Sequence, residues 1–70
     1  MWTKLKHCNS GDLIRAYWLN DKDIENPNNC NWHEIYEIKE EQNGKYYVAI
    51  QGWRGKQEDG RLDVFRKPVP

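Results

Sequence analysis

Asn43-Gly44 sits between two runs that carry large apolar residues, in the stretch WHEIYEIKEEQNGKYYVAIQGW from Trp32 to Trp53. An Asn-Gly step between such runs is the strongest local cue for a β-hairpin, because both residues accept the positive φ that tight hairpin turns need. Side chains decide the register. A two-residue loop puts Glu37, Lys39 and Glu41 on the face that Tyr46, Val48 and Ile50 need. A three-residue loop, Gln42-Asn43-Gly44 as a type I turn with Gly44 left-handed, pairs Glu41 with Lys45, Glu40 with Tyr46, Ile38 with Val48 and Tyr36 with Ile50. One face then carries Tyr36, Ile38, Val48 and Ile50; the other carries Glu37, Lys39, Tyr47, Ala49 and Gln51. A slip of one residue exchanges the faces, so the apolar pattern selects the longer loop.

A helix competes for the first half. Asn31 and Glu34 have the spacing of a capping box, Trp32, Ile35 and Tyr36 have helical spacing, and Gly44 could end the helix. The strand is preferred, since a helix over 32–42 would leave KYYVAIQGW without its nearest partner.

At 70 residues the expectation is one domain spanning 1–70, and a chain of this size buries only about 60% of its unfolded surface. Four Trp, four Tyr and one Phe offset that shortfall, as each aromatic buries about 150–250 Å². Eleven basic and eleven acidic residues cancel, whereas a sequence-independent grip on nucleic acid needs a basic excess. No apolar run approaches a membrane span, and residues 1–20 lack the apolar core of a signal peptide. A cytoplasmic location is expected.

Residues 1–11 read as a lead-in that packs through Trp2 and Leu5. Leu13 to Leu19 reads as a strand with Ile14, Ala16 and Trp18 inward and Leu13, Arg15, Tyr17 and Leu19 outward. Residues 20–31, NDKDIENPNNCN, form a long loop, since Asn and Asp compete with regular ladders. Gly52 to Gly60 reads as a polar connection. Arg61 to Arg66 closes the set as a strand with Leu62 and Val64 inward and Phe65 on the opposite face, ended by Pro68 and Pro70. Trp2 and Trp18 are expected to be mostly buried and Trp53 mostly exposed.

Four to five short antiparallel strands, a long loop after the first and a central hairpin suit an all-β, SH3-like barrel. The succession Leu5, Gly11-Asp12-Leu13-Ile14, Trp32 to Ile35, Gly44-Lys45-Tyr46-Tyr47-Val48 and Val64-Phe65-Arg66 resembles the small SH3-like barrels of short bacteriophage and mobile-element proteins. That resemblance implies a non-enzymatic adaptor or inhibitor of a host machine, of the anti-defence or takeover type, acting in the host cytoplasm. The balanced charge departs from the ribosomal and transcription-factor barrels of this class. No family functional residue carries over.

His7-Cys8 and Cys30-Asn31-Trp32-His33 are the sharpest chemical constellation. Cys-x-x-His is half of a zinc site, and Cys8 with His7 could supply the remaining ligands. Adjacent ligands on extended chain rarely face one metal, however, so two free, buried thiols are favoured over zinc or a Cys8–Cys30 disulfide. No cofactor is expected. A Cys–His–acid triad can be drawn from Cys8 or Cys30, His33 and Asp12 or Glu34, but no spacing fixes it, and so small a barrel leaves little room for a dry pocket. The acid pairs Glu40-Glu41 and Glu58-Asp59 read as solvated charges, and Gly52-Trp53-Arg54-Gly55 as a turn. No enzyme is expected.

A binding surface is expected instead, on Trp53, Arg54, Trp32, His33, Tyr47 and Tyr17, the residue types that dominate interface hot spots. The preferred partner is a protein. The alternative is single-stranded nucleic acid, with Tyr47, Tyr17, Trp53 and Trp32 stacking on bases while Lys45, Arg54, Lys56, Arg61, Arg66 and Lys67 track phosphates. An open sheet edge offers a subordinate route to self-association or to a partner's strand.

Overall fold

A computed structural model describes residues 1–69, with Trp53 and Arg54 described by their backbone alone. Six strands are formed: β1 (Trp2–Lys4), β2 (Leu13–Arg15), β3 (His33–Glu40), β4 (Lys45–Ile50), β5 (Trp53–Asp59) and β6 (Asp63–Arg66). All neighbours are antiparallel, in one open sheet ordered β1-β6-β2-β3-β4-β5. The class is all-β, as expected, but the sheet has six strands and does not close. Its end strands, β1 and β5, are not paired with each other. The first of two 3-10 turns among the described residues, Leu5–His7, fills the gap, with the Leu5 N–H donating to the Leu62 carbonyl (2.8 Å) and the Lys6 N–H to the Gly60 carbonyl (2.9 Å).

The central hairpin keeps the expected register from Glu40↔Tyr46 through Ile38↔Val48 to Glu37↔Ala49. The turn differs in kind. Asn43 and Gly44 both have positive φ, +55° and +75°, and the Lys45 N–H donates to the Gln42 carbonyl at 3.0 Å, the pattern of a type I′ turn. The Glu41 N–H also donates to the Lys45 carbonyl (2.9 Å), so Glu41 and Gln42 together oppose Lys45. The extra residue that sets the faces is therefore absorbed beside the turn, not within it. The Glu41 carboxylate accepts from the Gln57 side chain (2.9 Å).

Farther along β3 the register shifts. Ile35, not Tyr36, pairs with Ile50. Tyr36 is extruded and exposed, which corrects its inward assignment. The cause is non-local: Gly11 donates to the Ile35 carbonyl (2.8 Å) and Ile35 to the Asp12 carbonyl (2.9 Å), while the Ser10 hydroxyl donates to the Tyr36 carbonyl (2.6 Å). These bonds bend β3 from β4 toward β2, where Leu13 pairs with Glu34 and Ile14 with His33.

Three further expectations are corrected. The first strand stops at Arg15, and Tyr17–Leu19 forms a 3-10 turn ended by Asn20 at φ +65°. The Asp21 carboxylate accepts the Ala16 N–H (2.9 Å) and diverts the chain, a side chain competing with the ladder. Residues 53–59 are a strand, not a connection: a turn with Gly52 at φ +75° returns the chain along β4, and an edge position tolerates its polar composition. Trp2 is 39% exposed, because β1 turns it away from the core.

Leu5, Cys8, Ile14, Ala16, Ile35, Val48, Ile50 and Val64 form the core, with Trp18, Leu19, Ile38, Tyr46 and Leu62 packed around it. At the β5–β6 turn, Arg61 donates to both oxygens of Asp59 and holds that carboxyl well below the usual carboxylate range. No helix among the described residues is long and apolar enough to cross a membrane.

Candidate interaction face

Phe65 pairs with Trp2 on one side and with Arg15 on the other. Directly paired residues share a face, so Trp2, Phe65 and Arg15 form a line across β1, β6 and β2. Thr3, Val64 and Ile14 occupy the opposite face, where the core lies. Trp32 extends the line, since His33 pairs with Ile14 and the preceding residue falls beside Arg15. The rings touch in sequence. Tyr17 stacks on Trp2 (centroids 5.9 Å, planes 24° apart), Trp2 meets Phe65 edge-on (5.4 Å, 69°), and Phe65 lies nearly parallel to Trp32 (6.2 Å, 15°). Each such pair is worth about 0.5–1.5 kcal/mol beyond its buried area. Tyr17 remains 69% exposed.

Arg15 lies beneath this row and is almost fully buried, which corrects the expectation that an outward strand position is solvent-facing. The long loop roofs it. Its Nε donates to the Asn31 carbonyl (2.9 Å), its Nη1 to the Ile24 carbonyl (2.5 Å) and more weakly to that of Asn26 (3.5 Å), and its Nη2 to the Asn29 carbonyl. The guanidinium also lies 3.6 Å from the Trp32 ring centroid, a contact strengthened by its shelter from water. Asx turns at Asn26 and Asn29 aim these carbonyls inward. The loop is thus folded around a cation. Between it and the end of β6 lies a groove of about 440 Å³, lined by Trp32, Phe65, Pro27, Cys30, Lys67 and Pro68 among others.

Of the residues expected to bind, Trp32 and Tyr17 belong to this row. His33 faces the other way and receives Asp21, whose two carboxylate oxygens lie 2.8 and 3.0 Å from its Nε2; it ties down the start of the loop. Tyr47 stands on β4 with its ring over Gly55, where an added Cβ would come within 2.3 Å of it. The side chains of Trp53 and Arg54 lie outside the described residues. Trp2, Phe65 and Arg15 were missed as site residues. An outward Phe65 was the available signal, but Trp2 reaches it through a pairing between opposite ends of the sequence.

The cations divide. Arg61 is bound to Asp59, and Arg66 is 3.7 Å from Asp12 and reaches the His7 carbonyl. Lys67 lies 5.9 Å from the Trp32 centroid. The thiols are free and differently placed. Cys8 is in the core, where burial, aided by Asp12 and opposed by Arg66, pushes its pKa up to about 11. Cys30 is exposed on the loop, which corrects the expectation that both thiols are buried. With His33 on Asp21, and His7 in the 3-10 turn before Cys8, the four zinc candidates are not gathered. No metal-holding group of three or more His, Cys, Asp or Glu occurs among the described residues.

Comparison with family models, with curated proteins and with solved structures finds no match.

Proposed function

We propose that this chain is a non-enzymatic binding module that docks onto a partner protein through the row Tyr17–Trp2–Phe65–Trp32. The row itself carries the proposal: four aromatic side chains in mutual contact, on the sheet face opposite the core. Large rings with few rotatable bonds lose little entropy when covered, which is why they anchor interfaces. The rim is mixed in charge, with Lys4 paired to Asp63 at 2.5 Å and Lys67 beside Trp32. The strand succession β2, long loop, β3–β4 hairpin, β5, β6 supports an SH3-like reading with one side left open. The resemblance to small phage proteins makes an inhibitor or adaptor of a host machine the proposed biological setting, in the host cytoplasm.

Single-stranded nucleic acid is the second reading, supported by Lys67 near the half-buried Trp32 ring. Against it, Trp32 already carries the Arg15 guanidinium where a base would stack, and Arg61 and Arg66 are engaged elsewhere. Tryptophan fluorescence titrated with single-stranded DNA and RNA at two salt concentrations separates the readings. No saturable change is expected; tight binding that weakens steeply with salt would favour nucleic acid.

A further inference from the structure

The strand order leaves two edges, β1 and β5. β1 has three residues, too short to template another chain. β5 has seven and pairs with β4 along one side only. A register shift interrupts it between Lys56 and Trp53, the partners of Val48 and Ile50, so Lys56 to Asp59 is its regular part. Pairing with β4 sets the faces: Lys56 opposes Val48 and Glu58 opposes Tyr46, while Gln57 opposes Tyr47 on the other face. Lys56 and Gln57 are exposed.

We propose that this edge pairs with the same edge of a second copy, antiparallel, with Gln57 on the two-fold axis. An axis perpendicular to the sheet preserves faces, so Lys56 of each copy opposes Glu58 of the other. Moving the axis to Lys56 sets that lysine against itself, and a parallel arrangement in register sets lysine on lysine and glutamate on glutamate. Opposite charges across a strand pair are favourable and like charges are not. Within the regular segment charge therefore favours the register centred on Gln57, and it is reciprocal, as an isologous contact requires. The shortness of the segment makes the dimer weak. This contact is separate from the aromatic row and would give the assembly two such rows.

Sedimentation equilibrium of the wild type from about 10 μM to about 1 mM tests it. The expected result is a concentration-dependent dimer, weakened at least about tenfold by Lys56→Glu and by Glu58→Lys separately. An equimolar mixture of the two variants should dimerise again, because two glutamates then face two lysines. On dilution of the wild type, amide NMR shifts should move within residues 55–59, a readout that does not depend on a variant folding. A monomer throughout the range, a dimer indifferent to both reversals, or dilution shifts centred on Trp2 and Phe65 would each overturn the proposal.

Discussion

Replacing Arg15 with methionine would leave the carbonyls of Ile24, Asn26, Asn29 and Asn31 facing an apolar side chain. Buried acceptors that lose charged donors are costly, and the expected loss is about 3 kcal/mol, measured by denaturant melts. Hydrogen exchange should quicken in residues 24–31 first. Arginine at this position was legible only as one outward residue of an alternating strand; the roof over it comes from a loop whose composition announces turns but not their target. At Cys8 the raised pKa has a definite sign. The folded chain keeps its thiol proton where an unfolded thiol, near 9.0, has lost it. That stability is complete below about pH 9 and is lost as pH rises toward about 11. Melts of wild type and Cys8→Ala over this range should show the steeper decline in the wild type. In the native state a thiol reagent should label Cys30 quickly and Cys8 only on unfolding.

At the scale of the elements, the β3–β4 hairpin joins what local pattern reveals to what it hides. Asn43-Gly44 and the alternation of Ile38 and Val48 determine the pairing near the turn, and the structure follows it there. The bulge at Tyr36 depends on Ser10, Gly11 and Asp12 reaching across from another part of the chain, and no short window contains that. β5 was hidden for a different reason: an edge strand needs no apolar alternation. Ile35→Ala should therefore cost about 2–5 kcal/mol as a core truncation, and Tyr36→Ala should stay within about 0.5 kcal/mol; the inward Tyr36 of the regular register would reverse that order. Gly44→Ala, forced to φ +75°, should lose about 1 kcal/mol in the same melts.

For the whole molecule, one sheet serves two purposes. Its inner face holds the apolar core that a chain this small needs, and its outer face holds a row of rings that folding does not require to be buried. Half of that row, Trp32 and Tyr17, could be named from the sequence as surface anchors, although Trp32 is half-buried and only Tyr17 is exposed. The other half, Trp2 and Phe65, is assembled by the β1–β6 pairing, which no local signal encodes. The most direct test captures proteins from one lysate with the tagged wild type, a folded Trp2→Ser, Tyr17→Ser double variant and a Tyr47→Ser control, and quantifies the bound proteins by mass spectrometry. The expected result is a partner held by the wild type and the control and depleted at least about tenfold, about 1.4 kcal/mol, on the double variant. Equal capture of the same proteins by all three would contradict the assignment of the row as the docking surface.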